Sequence, residues 1–355
     1  MQLQATQIKK VFHFGFDART SRGRMKDKTS WFIKLWNADN PAVFGLGECG
    51  PLPGLSVDDR PDFEEVLRTC LQQQLESIQP SVHELLKIVP PGFPSIRFGL
   101  ETAFLDLMNG GERKIYPNSF CSGSPIPING LVWMGDLDSM LQQVSLKISQ
   151  GFRCIKIKVG GLNFEKECDI LQYIRSKYFR EGITIRLDAN GAFKPEEAMH
   201  KLNVLARYNI HSIEQPVKAG LEIMEELCRK SPIPVALDEE LIGIEAVVDK
   251  QKLLDRIKPQ YIILKPTLHG GLLSCAEWIA LAEERSIGWW ITSALESNVG
   301  LNAIWQITAN YAITLPQGLG TGQIYEDNIE SPLSVSKGEI FYDRNKLWSL
   351  QELSV

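Results

Sequence analysis

The sequence lacks the marks of membrane-spanning, disulfide-rich and nucleic-acid-binding proteins. Its apolar runs are strand-sized, such as 261–264 and 286–291, and none approaches the ~20 residues that cross a bilayer. The 7 cysteines are scattered and no pair has CxxC spacing, so neither a disulfide framework nor a zinc site is expected. The 38 basic and 43 acidic residues give a net charge of -5, which provides no field to hold a phosphate backbone. We therefore expect no membrane and no nucleic-acid partner.

The length and composition are typical of a globular protein with more than one folding unit. With 355 residues, the chain is long enough for two domains, or for one barrel-sized domain and a smaller partner. Hydrophobic residues make up 44% and charged residues 23%, which argues against disorder. The segment Met1 to Lys10 does not show the charged-then-apolar order of a signal peptide, and free thiols suit a reducing compartment. The expected location is cytoplasmic.

The pattern of the sequence changes about a third of the way along the chain. Before this point, strand-like and helical segments follow each other irregularly around a Gly/Pro-rich loop at 45–55. After it, short β-branched runs alternate with amphipathic helical segments. This alternation predicts an α/β fold in which crossover helices join a parallel sheet. We expect a (β/α)8-type barrel over 126–321, with an α+β capping domain formed by 1–125 and completed by 322–355.

Two further expectations about the fold follow from local motifs. An open, doubly wound sheet is the competing architecture, but the alternating part has no GxGxxG motif between a strand and a helix, which favours the barrel. Near the end of the chain, two β-like runs flank Asp343-Arg344-Asn345, which predicts a turn there. We expect this tail to pair with the N-terminal domain.

Ionisable residues end five consecutive β-branched runs of the alternating part. In chain order they are Lys156 with Lys158, Asp188, Glu214, Asp238 and Lys265. Successive positions are one strand–helix unit apart, and in a barrel the carboxyl ends of all strands face one mouth, where active sites lie. Because side chains alternate along a strand, Lys156 and Lys158 share one face and both point into the barrel.

The three acidic residues of this set need a cation if they converge, because they would otherwise repel one another and take up protons. A single acidic residue after a strand is most often a helix N-cap or a surface residue, and this interpretation would fit Asp188, Glu214 or Asp238 if each were considered alone. Their joint pattern instead predicts a divalent-cation site, because carboxylate oxygens with open positions suit Mg²⁺ or Mn²⁺. The remaining positions around such a cation are open to oxygens of water or of a substrate.

These residues resemble the enolase superfamily, and specifically its muconate-lactonising subgroup. In that subgroup a Lys-x-Lys motif ends the second barrel strand, as Lys156-Ile157-Lys158 does here. Asp188, Glu214 and Asp238 match the metal ligands on its third, fourth and fifth strands, and Lys265 matches the lysine on its sixth. The resemblance extends over essentially the whole chain, including the capping domain.

The resemblance implies an enzyme that takes a small-molecule carboxylate substrate and removes a proton alpha to its carboxylate with the help of Mg²⁺. Lys158 would be the general base, and Lys156 would be a second cation that lowers the pKa of Lys158. Lys265 would stay protonated on the opposite face and stabilise the intermediate. A barrel protein that has lost its activity is the alternative of another class, and the intact set of charged residues argues against it.

Within the subgroup, the segments 292–301 and 318–322 resemble enzymes that eliminate water from a hydroxy-cyclohexadiene carboxylate with a succinyl arm. An N-succinylamino-acid racemase would use the same charged residues, so these residues do not separate the two reactions. Dipeptide epimerases carry Asp-x-Asp on the eighth strand, where this chain has Gly318-Leu319-Gly320, and are disfavoured.

Four residues are expected to contact the substrate, and two loops are expected to close over it. The residues are Asn190, Ser293, Gly320 and Arg22. The loops are 19–26, whose arginines could meet a second carboxylate, and 45–55. The oligomeric state stays open.

Overall fold

The computed structural model describes residues 1–20, 23–75 and 81–353. The strands are β1 (Leu3–Thr20), β2 (Gly23–Asn37), β3 (Asn40–Cys49), β4 (Ile126–Pro127), β5 (Gly130–Val132), β6 (Cys154–Lys158), β7 (Thr184–Asp188), β8 (Ser212–Glu214), β9 (Val235–Leu237), β10 (Tyr261–Leu264), β11 (Gly288–Ile291), β12 (Leu333–Ser336) and β13 (Glu339–Tyr342). The helices are α1 (Phe63–Thr69), α2 (Val82–Lys87), α3 (Pro94–Met108), α4 (Leu137–Ser149), α5 (Phe164–Lys177), α6 (Pro195–Leu205), α7 (Ile223–Lys230), α8 (Val247–Ile257), α9 (Pro266–His269), α10 (Leu272–Glu284) and α11 (Asn298–Thr308).

The N-terminal part is an antiparallel sheet of order β1-β2-β3 with helix α3 packed on β3. The helix lies so close to the strand that a Cβ at Gly45 would be 1.8 Å from the Ala103 carbonyl oxygen, and one at Gly47 would be 1.8 Å from that of Gly99. The expectation of a loop over 45–55 was therefore wrong in its first half, because these glycines serve close helix–strand packing within β3 rather than a turn.

The alternating part forms a parallel sheet of seven strands in the order β11-β10-β9-β8-β7-β6-β5. The two edges of this sheet meet through one extended segment, in which Gln317 forms a parallel bridge to Ile128 and Gly318 forms one to Thr292. The segment takes the place of an eighth strand and closes the sheet into a barrel. The predicted α/β barrel with an α+β cap is confirmed as a fold class.

The main hydrophobic core lies between this sheet and its surrounding helices. The outward residues Ile155 and Ile157 of β6 are buried there, as are Leu171 and Ile174 of α5. Full burial of a side chain of this size contributes roughly 1.5–3 kcal/mol, so the outer face of the sheet supplies the stability. The inner face carries charged side chains at the carboxyl ends of the strands, and below them a separate apolar cluster of Ala236, Ile263 and Trp290.

The C-terminal tail forms its hairpin earlier than the sequence indicated. Strands β12 and β13 are joined at Lys337 and Gly338, where the backbone has φ of 51° and 76°, and β13 pairs with β4. A turn does form at the predicted Asp343-Arg344-Asn345, where Lys346 N–H donates to Asp343 O (3.0 Å), but it does not join the two strands of the hairpin. The strands are joined earlier because Gly338 adopts the left-handed conformation at no steric cost. The tail contacts the N-terminal sheet on both sides of the hairpin: before it, Gly15 N donates to Ile324 O (2.9 Å), and after it, Lys10 Nζ donates to Glu352 Oε2 (3.1 Å).

Two predictions from the sequence concern membrane-spanning segments and disulfides, and both can be compared with the described part of the chain. There, no helix is both long and apolar enough to cross a bilayer. All of the cysteines are free thiols.

Candidate active site

Adjacent strands bring the charged residues together at the carboxyl end of the barrel sheet. Lys158 is the register partner of Asp188, and Asp188 is the register partner of Glu214. Lys156 and Lys158 are 6% and 8% exposed, and the three acidic residues that follow in the sheet are 0–1% exposed. Such burial of charge requires partners within the site.

Each lysine forms an ion pair with one or two of the carboxylates. Lys156 Nζ lies 2.5 Å from Glu214 Oε2 and 3.0 Å from Asp188 Oδ2. Lys158 Nζ lies 2.6 Å from Asp188 Oδ2. Across the barrel, Lys265 Nζ lies 2.5 Å and 2.7 Å from the two oxygens of Asp238. The structure thus brings together all six residues that the sequence singled out at strand ends.

The pKa values of Lys156 and Lys158 shift in opposite directions, although burial acts in the same direction on both. Burial lowers the pKa of Lys158, Lys156 acts the same way, and the Asp188 carboxylate opposes both. Burial also works against the charge of Lys156, but Asp188 and Glu214 outweigh it and raise the pKa of that lysine. The sequence anticipated the direction at Lys158 but named Lys156 as its source, whereas desolvation is the larger cause.

The pKa values of the neighbouring carboxylates Asp188 and Glu214 shift in opposite directions. Burial raises the pKa of Glu214 to about 7, although the neighbouring Lys156 pulls it down. Burial acts in the same sense on Asp188, but Lys156 and Lys158 outweigh it and hold the pKa of Asp188 below its usual range. The lysine charges thus outweigh burial at Asp188 but not at Glu214.

The donor chemistry of the three carboxylates fits a hard divalent cation. Glu214 Oε1 is buried and has no hydrogen-bond partner among the described residues, so an acceptor atom is available in the centre of the site. Within those residues, no three acidic, His or Cys side chains are already gathered as one ligand group. Each of the three carboxylates has a lysine ammonium group beside an oxygen that a cation would take.

A cavity of about 680 Å³ opens above these residues. Its walls include Lys156, Lys158 and Lys265, together with the predicted substrate contacts Asn190, Ser293 and Gly320. Asn190 Oδ1 accepts a hydrogen bond from Lys158 Nζ (2.7 Å). Arg22 lies outside the described residues. Met25 and Leu52, from the two segments expected to close over the mouth, also line the cavity. The expectation of a loop over 19–26 was wrong for its described residues, because antiparallel pairing such as that of Arg19 with Arg24 continues β1 to Thr20 and starts β2 at Gly23.

Several cavity residues were missed by the sequence reasoning. Trp133 directly follows β5, and the strand-end rule that found the charged residues would have found it too. Thr321 lines the same wall, and its Oγ1 lies 2.5 Å from Ser293 Oγ. Phe16 comes from β1, which no pattern in the sequence placed at the barrel mouth. The wall is therefore partly apolar, as small-molecule sites generally are.

His269 is a buried structural residue and does not line the described cavity. Its Nδ1 accepts a hydrogen bond from the Lys265 backbone N–H (3.1 Å). Burial lowers the pKa of His269 to about 3, so its ring is neutral and can serve as this acceptor. The histidine helps to fix the backbone that carries Lys265.

Three comparisons place the chain among known proteins. The family model for Enolase C-terminal domain-like proteins matches residues 139–344. The o-succinylbenzoate synthase of Desulfotalea psychrophila is 42% identical over 350 residues, which are 90% of this chain and 94% of the relative. The o-succinylbenzoate synthase of Haemophilus influenzae is 26% identical over 79% of this chain and 80% of its own length.

Solved structures show the same relationship. The crystal structure of MenC from Desulfotalea psychrophila has a TM-score of 0.84 and 38% identity, and the match covers 96% of this chain and 100% of that one. A muconate lactonizing enzyme shares 18% identity over 94% of each chain at a TM-score of 0.76, which is a likeness of fold alone.

Proposed function

Since the chain belongs to the Enolase C-terminal domain-like family, in the muconate-lactonising subgroup of the enolase superfamily, we propose that it is an o-succinylbenzoate synthase. Such an enzyme converts 2-succinyl-6-hydroxy-2,4-cyclohexadiene-1-carboxylate into 2-succinylbenzoate and water. The observation that carries the proposal is the 42% identity to a synthase over 90% of the chain, joined with a cluster of six charged residues, four of which line one cavity.

Asp188, Glu214 and Asp238 would hold Mg²⁺ between them, and Mn²⁺ would suit the same oxygen donors. When bound, the cation supplies positive charge that neutralises the substrate carboxylate and the charge that develops on it. The unpartnered Glu214 Oε1 and the buried position of all three carboxylates support this assignment. Each carboxylate oxygen has two lone pairs, so an oxygen that accepts a hydrogen bond from a lysine could also ligate the cation.

Lys158 is the proposed general base. Its amine, made easier to deprotonate by burial, takes the proton from the carbon alpha to the ring carboxylate. The electrons of that C–H bond form a ring double bond, and the C–O bond to the hydroxyl on the adjacent carbon breaks. Lys158 then returns the proton to the departing hydroxide, so that water leaves on the same face. The aromatic product makes the elimination strongly favourable.

Lys265 is proposed to act from the other side of the ring. It follows β10, which is four strands away from β6 in the sheet order, and this separation puts it across the barrel from Lys158. Its ion pair with Asp238 keeps the ammonium in place. A fixed positive charge there stabilises the negative charge that builds up during proton removal.

The cavity walls would orient the substrate and exclude water. Trp133 and Leu131 offer apolar surface to the ring, while Ser293, Thr321 and Asn190 offer polar groups. Gly320 would let the substrate approach the backbone closely. We also propose Arg22 as a contact for the succinyl carboxylate, on the charge complementarity of the two groups.

The biological setting follows from the proposed reaction. A 2-succinylbenzoate product assigns the enzyme to menaquinone biosynthesis, and we propose a cytoplasmic location. We further propose that 126–321 form the catalytic unit, and that 1–125 with 322–355 form its cap.

Product formation tests the proposal. Purified protein is incubated with Mg²⁺ and the cyclohexadiene substrate, and formation of 2-succinylbenzoate is followed. A parallel incubation with N-succinylphenylalanine in D₂O measures racemisation. Dehydration with a higher kcat/KM than racemisation is expected. Racemisation without dehydration would identify the chain as a racemase.

A further inference from the structure

Asn190 lies between the proposed base and an acidic residue two strands away. Its Oδ1 accepts a hydrogen bond from Lys158 Nζ (2.7 Å), and its Nδ2 donates one to Glu239 Oε1 (3.0 Å). A lysine ammonium can only donate and a carboxylate can only accept, so the two neighbours require opposite ends of the amide. Glu239 thereby fixes which end of Asn190 faces Lys158.

The backbone at Asn190 supports the same placement. Its φ is 44°, a left-handed conformation that Asn tolerates better than most other residues. Its N–H donates to Asp188 Oδ1 (3.1 Å), which ties the turn to the end of β7. With the main chain held in this way, the side-chain amide could still rotate by half a turn, which would exchange its Oδ1 and Nδ2 atoms. The hydrogen bond to Glu239 opposes this rotation.

The orientation of this amide matters for proton abstraction. A neutral lysine amine carries two N–H donors and one lone pair, and the lone pair must face the substrate. Lys158 Nζ has two acceptors nearby, Asp188 Oδ2 at 2.6 Å and Asn190 Oδ1 at 2.7 Å. These acceptors engage both N–H groups and leave the lone pair for the substrate. A turned amide would present its own N–H groups, which would bind the lone pair instead.

We propose that Glu239 is a positioning residue for the proton-abstraction step, acting through Asn190. The inference rests on the proposed role of Lys158 as the base. Glu239 is half-buried at the start of the turn Glu239–Leu241, and it is not among the described residues that line the cavity. Its effect on the reaction is therefore exerted on the base and not on the substrate.

The test compares two substitutions at this position. Glu239→Ala removes the acceptor and should lower kcat by about 10- to 100-fold, a range typical of residues that orient a functional side chain. KM should change little. Glu239→Gln keeps an amide oxygen that can accept from Asn190 Nδ2, so it should retain most of the wild-type kcat. Glu226→Ala, an exposed carboxylate on α7, controls for loss of a negative charge.

An isotope effect separates positioning from a merely structural role. With substrate deuterated at the carbon that loses the proton, the deuterium effect on kcat should rise in Glu239→Ala, because abstraction becomes the slower step. A damaged fold would reduce the amount of active enzyme without raising that effect. An unchanged isotope effect, or equal losses in the Ala and Gln variants, would overturn the inference.

Failure of the proposed function can be told apart from failure of this inference. Exchange of the alpha proton of N-succinylphenylalanine in D₂O also needs the base but no dehydration. If the wild type exchanges this proton without dehydrating the cyclohexadiene, the proposed function is wrong. A slower exchange in Glu239→Ala would then still support the positioning role, and an equal rate would contradict it.

Discussion

Lys158 and Asp188 face each other across neighbouring strands and form an ion pair with 2.6 Å between Nζ and Oδ2. The residue that we propose as the base is thus held directly by a residue that we propose as a metal ligand. Loss of Asp188 leaves Lys158 buried without this counter-charge, a costly state for an ionised group, whereas loss of Lys158 leaves Asp188 paired with Lys156 alone. Substitutions and metal removal therefore test connected parts of one site.

Lys158→Ala removes the amine that we propose takes the proton. We expect kcat to fall by about 10²- to 10⁴-fold, the usual contribution of a general base. Formation of 2-succinylbenzoate measures the loss, and a thermal melt verifies that the variant is folded. Lys166→Ala, an exposed lysine on the following helix, should behave like the wild type. An activity of Lys158→Ala close to that of the wild type would mean that another group is the base.

Removal of the divalent cation should abolish turnover and lower the thermal stability. A ligand that binds only the folded state stabilises it, by about 2.7 kcal/mol at a concentration of 100 times its Kd. We expect EDTA to lower the Tm, added Mg²⁺ to restore both Tm and activity, and Asp188→Asn to remove the response to Mg²⁺. Full activity in a large excess of chelator would contradict the metal assignment.

His269 should contribute a dependence of stability on pH. Burial holds its pKa at about 3 in the folded protein, below the ordinary value of 6.5. Between these values the unfolded chain binds a proton that the folded chain does not, so stability is lost as the pH falls from 6.5 towards 3. One such group changes the free energy of unfolding by roughly 1.4 kcal/mol per pH unit.

His269→Asn provides the comparison for this prediction. Its Oδ1 can still accept the Lys265 N–H, but the side chain does not titrate. Urea unfolding at several pH values should show a flatter dependence for the variant than for the wild type. Parallel curves for the two proteins would mean that His269 is not the source of the slope.

Gly47→Ala tests the close packing between the capping sheet and α3. The added methyl group would fall 1.8 Å from the Gly99 carbonyl oxygen, so the helix or the strand must shift. We expect a loss of about 1–3 kcal/mol in the free energy of unfolding. Gly15→Ala is the control, because its nearest neighbour is the flexible Glu326 side chain at 3.3 Å. Similar stabilities for both variants would refute the packing argument.

The sequence was informative where a simple periodicity decides the structure. Strand–helix alternation and one charged residue per strand end were enough to place Lys158, Asp188 and Lys265 at one mouth, since a parallel barrel leaves few alternatives. It was less informative where tertiary contacts decide. Gly45 resembles a turn residue in the sequence, but it lies in a strand because α3 presses against it.

Residues that reach the site from other parts of the chain were the hardest to predict. Phe16 lies on β1, far from the barrel in sequence, and its place in the cavity wall depends on how the cap sits on the barrel. Thr321 lacks a charge or a periodic position that would mark it. Glu239 follows a predicted metal ligand, but its link to Asn190 comes from the folding of two separate strand ends.

A crystal structure with Mg²⁺ and 2-succinylbenzoate would test the central claim most directly. The account predicts one cation bound by Asp188, Glu214 and Asp238 and in contact with the ring carboxylate, with Lys158 and Lys265 on opposite faces of the ring. A cation bound elsewhere, or a product ring with both lysines on one side, would contradict it.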